Sequence, residues 1–395
     1  MGVLDGIRVL DLSRFLAGPL CGMLLADMGA EVIRIEQSEG GPDRTWGQLG
    51  PDGETLSFKL TARNKKGITL RLNTEKGKRV FYELVKKSDV VLHNFTPGTS
   101  LSKELTYASL RKISERIVVA ALSGYGQNGP YAEQACFDAT AQAESGGMLV
   151  TGFPGDPPLK TSITYIDIST GQSGALGILL ALYDREKTGL GQEVDVSLFD
   201  TAFFATQALG VLSLYHVYGE LRTQVGNRGF HSYIGCLEAK DGWVMIAPAT
   251  NYIWRRFVTA IGREEMADDP RFGTDMDRFT NAELIEPIVG EWVSQRTVKE
   301  VTDCLEEARV PCGVVNTVDK LVNDPQVKAR EMIVMAHHNG LGDLPLPGVY
   351  IKLSRSPGGI RSVAPKIGEH NEEVYRGLLG LSAEEFGQLK AQKII

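Results

Sequence analysis

The chain has 395 residues, enough for a main domain and a smaller one, and its 43% apolar and 23% charged residues suit buried cores under an ordinary wetted surface. Lys and Arg number 42 against 49 Asp and Glu, a net charge of −7, which argues against a general nucleic-acid or anionic-membrane binder while leaving room for a local basic pocket. Five scattered cysteines (Cys21, Cys136, Cys236, Cys304, Cys312) form neither CxxC nor a zinc-spaced Cys/His cluster; with no basic, signal-like N-terminal region, the expected location is a reducing cytoplasm.

Ile7 to Leu12 reads as a strand ending at the turn Ala17 to Pro19. A helix follows, with Pro19 at its first position, Leu20, Met23, Leu24 and Ala26 as apolar positions and Gly29 as its stop. Glu31 to Glu36 is a second strand, completing a βαβ unit. Further strands are expected at Ile68 to Leu72, Val90 to Leu92 and Ile117 to Leu122, with an amphipathic helix at Gly77 to Lys87. Ser169 or Thr170 can cap a helix carrying Leu176, Leu179, Leu180 and Tyr183, and Gln192 to Leu198 alternates like a half-buried strand. Thr201 to Gly219 contains no Asp, Glu, Lys or Arg, yet its Thr, Gln, Ser and His residues favour a long buried helix over a membrane span.

Beyond this point the texture changes. A hairpin is expected over Gly235 to Ala247, turning at Asp241-Gly242, followed by helices near Tyr252 to Ile261, Asn281 to Gln295 and Val298 to Ala308. Strand-like Val349 to Leu353 and a helix from about Asn371 close the chain. The expected fold class is α/β: a large doubly wound domain with a parallel sheet over 1–221, a smaller α/β domain over 222–325, and a segment over 326–395 that rejoins the first.

A βαβ start invites a dinucleotide reading, with Glu36 as the ribose-binding acid. But only Gly18 and Gly22 lie between Leu12 and Met28, so the GxGxxG turn is missing, and no P-loop occurs. Glu36 is then expected to be a solvated strand end. Arg63, Lys65 and Lys66 read as a solvated loop or a phosphate site, and Asn94 to Gly98 as a turn or a ligand loop at a strand's carboxyl end. Asp167 sits just ahead of the capped helix, where the helix dipole favours an anion; it is either a structural cap or an available carboxylate.

Taken in order, LDLSRFLAGPLCGMLLADMGAEVIRIE (10–36), NKKGITLRL (64–72), DVVLHNFTPG (89–98), SGYGQNGP (123–130), FDATAQAESGG (137–147), DISTGQSGALGILLALYDREKTGLGQEVDVSLFD (167–200), VPCGVVNTVDKLVNDPQVKAR (310–330), LPGVYIKLSRSP (346–357) and APKIGEHNEEV (364–374) resemble the class III CoA-transferase (CaiB/BaiF) family across essentially the whole chain. That resemblance implies a Rossmann-like large domain built from both chain ends and an interlocked homodimer of ring-like subunits. It also implies transfer of CoA between organic acids, with the CoA thioester as substrate and no tightly bound cofactor or metal. Asp167 matches the family's catalytic aspartate, which forms a covalent aspartyl intermediate; Asp138, the acidic residue of the 137–138 segment, is the second catalytic candidate. For CoA the resemblance points to Leu16, Ala17, Leu70, Asn94, Phe95 and Lys103. Gln37 and Asn73 replace family basic residues, so Arg34, Lys65, Arg71 or Lys103 are expected to meet the phosphates. Two readings stay open beside transfer. Racemases and epimerases of this family keep His where this chain has Phe137, and a non-catalytic CoA-binding protein would not need Asp167. The SGG at 145–147 is a candidate source of oxyanion-binding amides. Leu16, Phe137 and Tyr165 suggest a rather apolar acyl pocket.

Overall fold

In the computed structural model, residues 2–208, 210–338 and 340–395 are described. Apolar-rich runs in four segments and more polar segments in two build six strands: β1 (Arg8–Asp11), β2 (Glu31–Glu36), β3 (Lys65–Thr69), β4 (Val90–His93), β5 (Val118–Ser123) and β6 (Glu193–Ser197), with β3 and β6 the more polar pair. They form one sheet in the order β3-β2-β1-β4-β5-β6, parallel at every pairing. The order reverses between β1 and β4, the topological switch where such sheets take ligands.

Alternate strand residues feed two cores. On one face Val9, Val32, Val90, Val118 and Ala120 pack with Cys21, Met23 and Leu24 of α1 (Ala17–Asp27). On the other, Leu10, Ile33, Ile68, Val91 and Val119 meet Phe81, Leu84 and Val85 and, from the end of the chain, Val374, Tyr375, Ile394 and Ile395. The intervening helices of this unit are α2 (Leu56–Thr61), α3 (Glu75–Lys86), α4 (Ser100–Glu104), α5 (Tyr107–Leu110), α6 (Asp138–Glu144), α8 (Tyr165–Thr188) and α9 (Leu198–Gln207), while α7 (Gly147–Val150) has its residues 148–150 in the second unit. It comprises 1–147, 161–210 and 325–395.

The second unit, 148–160 with 211–324, has its own antiparallel sheet of β7 (Gly235–Ala239), β8 (Gly242–Ile246) and β9 (Cys312–Val314) and a core around Trp254, Phe257, Val289 and Leu305. Ala239 pairs with Gly242, so the hairpin turns at Lys240-Asp241, one residue before the expected turn.

Three expectations are corrected. The apolar stretch 201–219 is two helices, α9 and α10 (Val211–Tyr218), because Gly210 adopts a φ of 75° and breaks the run; Leu209 lies outside the described residues. Its Phe204 and Tyr218 are exposed rather than buried, and among the described residues no single helix is long and apolar enough to cross a membrane. The stretch Val349 to Leu353 is irregular; the nearby strands are instead the hairpin Ile333–His338 with Gly342–Pro347. The basic run at 63–66 is no solvated loop, since β3 begins at Lys65 and both Arg63 and Lys65 are buried.

Candidate active site

The helix carrying Asp167 begins at Tyr165, four residues before the earlier of the two expected caps, and Thr164 at its cap position makes no side-chain cap bond. That role falls to Asp138. Its Oδ2 accepts the backbone N–H of Ile166 at 2.9 Å and of Asp167 at 3.2 Å, closing two of the open donors of the first turn from another helix. Its Oδ1 accepts Gln142 Nε2 at 2.5 Å, an i, i+4 contact along α6. Gln142 Oε1 in turn accepts Thr161 N at 3.0 Å.

Asp167 is thereby relieved of capping. No hydrogen bond to its carboxylate occurs among the described residues, and burial followed by the Asp138 charge pushes its pKa up to about 7. The helix dipole was expected to favour the anion; burial, and after it the charge of the acid that occupies the amides, reverses the outcome. Tyr165, also pushed up by burial and by Asp138, and Cys136, whose thiol burial pushes up to about 11 and which feels the charge of Asp167, complete the titratable surroundings.

Close packing brings α1 against this helix. A Cβ on Gly171 would lie 2.6 Å from the Ala17 carbonyl oxygen, and one on Gly174 2.9 Å from a Leu122 methyl, so both positions need glycine's bare backbone. Ala17 shares a small apolar cluster with Ala141, Ile166 and Leu198 beside the two acids. Leu16 is the cap of α1, and before it Phe15 is held at a φ of 68°, a strained conformation for an aromatic residue. Asn94 clamps this turn from both sides, accepting Arg14 N at 2.9 Å and donating to Arg14 O at 2.7 Å. The strained turn aims Phe15 at Trp46 and Phe137, with ring centroids 5.3 and 5.9 Å away. Trp46 and Phe137 are nevertheless 60% and 55% exposed, an apolar shelf directly before Asp138.

The same turn borders a cavity of about 490 Å³ at the carboxyl ends of β1 to β4, beside the switch point. Of the sequence-predicted CoA residues, Arg34, Leu70, Arg71 and Phe95 line it; Leu16, Ala17, Asn94, Lys65 and Lys103 do not. Lys103 is exposed on α4. Lys65 is wholly buried, its ammonium held by Asp11 Oδ2 at 2.7 Å and Pro19 O at 2.8 Å. Arg34 is buried between Glu36 and Asp43, at 2.5 and 2.7 Å. Glu36 is therefore not solvated: it is buried and gripped by Arg34 and Arg44. Lys78 is paired with Glu104 at 2.6 Å. Among the described residues, Arg14 and Arg71 are the cavity's cations without an ion pair. The Ser145 and Gly146 amides donate to helix carbonyls, which withdraws them as oxyanion donors. Among the described residues, one carboxylate–imidazole group has metal-like geometry, Asp52, Glu54 and His338, but Lys59 already bonds both acids at 2.5 and 3.2 Å.

Phe15, Trp46, Arg14 and Gln142 were not singled out from the sequence. Gln142 carried one signal, its spacing four residues after Asp138; the others depend on loop geometry.

A family model described as CoA-transferase family III matches residues 4–371. The chain belongs to that family. This makes it an enzyme, a class III CoA-transferase. The chain is 35% identical to the succinyl-CoA–D-citramalate CoA-transferase of Chloroflexus aurantiacus, over 99% of this chain and 98% of that one. It is 36% identical to the formyl-CoA:oxalate CoA-transferase of Streptomyces avermitilis, over 99% of each. The crystal structure of a CaiB/BaiF family protein from Brucella suis superposes with a TM-score of 0.82 at 33% identity, covering 96% of this chain and 99% of that one.

Proposed function

We propose that this CoA-transferase moves CoA from an acyl-CoA thioester to a free carboxylic acid through a covalent intermediate on Asp167. The observation that carries the reading is a half-buried carboxylate without hydrogen bonds among the described residues, in the first turn of a helix whose amides a second acid has occupied. A carboxylate stripped of donors and water is a far better nucleophile than one in solution. Its oxygen attacks the thioester carbonyl, the C–S bond breaks, and the CoA thiolate leaves with the electron pair, giving a mixed anhydride. The thiolate then attacks the aspartyl carbonyl, which releases the donor acid and leaves an Asp167–CoA thioester. The acceptor carboxylate opens that thioester to a second anhydride. Thiolate attack on its acyl carbon yields the new acyl-CoA and restores Asp167. Thioester and anhydride trade places without a net proton or electron, so the CoA thioester is the substrate that drives the cycle.

Arg71 and Arg14 are the cations this reading assigns to the CoA phosphates in the cavity. The aromatic shelf of Phe15, Trp46 and Phe137 then faces the acyl group and favours an acid with an apolar body. Racemisation, the rival, needs a base and acid across the α-carbon; Phe137 offers neither in the position where racemases of this fold keep His. Incubating a panel of CoA thioesters (succinyl-, formyl- and acetyl-CoA included) with isotope-labelled free acids in deuterated water tests the assignment. The label is expected in the thioester pool with no deuterium at the α-carbon, and rapid α-deuteration without label exchange would overturn it.

The outer face of α8 supports a homodimer. Leu176, Leu179, Leu180 and Tyr183, at helical spacing, are 40–66% exposed, an apolar stripe that a second copy would cover. Because threaded rings cannot part without opening, light scattering at nanomolar concentration should still report a dimer; a monomer there contradicts the interlocked arrangement. Five free cysteines suit a cytoplasmic setting.

A further inference from the structure

Asp138 can serve α8 only while its carboxylate is held in one orientation. Three groups hold it: the amides of Ile166 and Asp167 on Oδ2, and the Gln142 side chain on Oδ1. The two amides belong to the helix being positioned, so they cannot also be the anchor. Gln142 is the anchor from outside. It is buried, one helical turn along α6, and its other end accepts the backbone N–H of Thr161 at 3.0 Å and the Thr161 hydroxyl at 3.3 Å. A single amide therefore ties the acid of α6 to the strap that leads into α8. Glutamine suits this task because it donates at one atom and accepts at the other, whereas a carboxylate offers no donor and a methionine neither.

We propose that Gln142 is a positioning residue of the transfer reaction: its amide locks the Asp138 carboxylate onto the first turn of α8, and through that contact it holds the Asp167 carboxylate at its angle of attack. The inference rests on Asp167 being the nucleophile. The groups facing Asp167 are Asp138 and Cys136, both from outside its helix, with no cation paired to it among the described residues. Loss of the anchor therefore acts on Asp167 through Asp138. An unanchored Asp138 carboxylate swings away from the first turn of α8. That removes negative charge from beside Asp167, so the acid limb of the rate profile moves toward lower pH while misalignment slows the reaction.

The test compares wild type, Gln142→Met, Asp138→Asn and the double variant as full-length protein, using an acyl-CoA and acid pair that exchanges in the panel above. In wild type, kcat is expected to rise with pH around a midpoint near 7, as Asp167 ionises. Gln142→Met should lower kcat about 10- to 100-fold with KM for the acyl-CoA changed less than about twofold, the pattern of lost alignment rather than lost binding. Its acid limb should move down by about half a pH unit or more. In the Asp138→Asn background the same substitution should change kcat by less than about twofold, because the residue through which it acts is gone. An unshifted limb, or losses that multiply in the double variant, would overturn the proposal. Should Gln142→Met fail to fold, Gln142→Asn keeps the amide but is one methylene too short to span both partners, and must show the same shift. Delivery of heavy oxygen from a labelled acceptor acid to Asp167 in wild type separates the two layers. Without that delivery the nucleophile reading falls and takes this proposal with it; with delivery but an unshifted Gln142→Met, only the Gln142 proposal falls.

Discussion

Asp167→Asn is expected to lower kcat by about 10³-fold or more while leaving the fold intact, because the amide keeps the size of the side chain but cannot form an anhydride. The variant should also be the more stable protein at neutral pH and above. In the folded chain the Asp167 pKa is raised from its ordinary 3.8 to about 7, by burial first and the Asp138 charge second. For a carboxyl group raised in this way, the unfolded chain ionises first as pH rises. The stability cost is absent below the ordinary pKa, grows as pH climbs toward 7 and is complete above it. Asparagine carries no charge and escapes that cost. Melting curves of the two proteins should therefore separate at pH 8 and converge near pH 4, with the inactive variant on the stable side. An active site that holds an unfavourable charge for chemistry behaves in this way. An Asp167→Asn protein that turned over normally would rule out the covalent route.

The second large effect concerns two cations that the sequence presents alike. Lys65→Met is expected to cost about 3–5 kcal/mol of stability, because it leaves the wholly buried Asp11 carboxylate without its partner beneath the β1–α1 turn. Asp11 also accepts the Ser13 amide at 2.9 Å, so the damage reaches the turn that carries Arg14 and Phe15. Arg71→Ala should do the opposite. With no ion pair to lose, it should leave the denaturation midpoint near that of wild type and raise KM for the CoA thioester about 10-fold, the mark of a lost charge-assisted phosphate contact. The account fails at this point if Lys65→Met is as stable as wild type and instead binds CoA thioesters weakly.

Much of the scaffold was legible in the chain. The apolar runs of β1, β2, β4 and β5 stand nearly where the structure has them, because a strand buried on both faces needs little else. Asp167 and Asp138 were proposed as catalytic through the resemblance alone, and the β3 segment was only partly legible: its start at Lys65 was hidden because charged residues in a buried strand break the apolar pattern. The fates of Lys65, Arg34 and Glu36 were illegible for a related reason. Lys65 is paired with Asp11 on another strand, and Arg34 and Glu36 pair with each other and with Asp43 and Arg44 of the following segment; a charge alone does not say whether it meets water, a phosphate or a buried carboxylate. The start of α8 was missed because its cap comes from Asp138, a residue 26 positions upstream of Thr164 and outside any local capping rule. Local reasoning gave Asp167 the amides of its own helix, and with them the wrong direction of pKa shift.

The central claim is that the Asp167 side chain is covalently part of each turnover, and oxygen bookkeeping tests it most directly. When an acceptor acid with both carboxylate oxygens heavy opens the Asp167–CoA thioester, one heavy oxygen becomes the bridge of the second anhydride. Thiolate attack on the acyl carbon then leaves that oxygen on Asp167. After transfer, mass spectrometry of the peptide spanning Asp167 should show heavy oxygen in that side chain and in no other carboxylate. Labelled acyl-CoA formed at full rate with an unlabelled Asp167 would mean that the acceptor reacts with the donor directly, and that the aspartate is a bystander to bond formation.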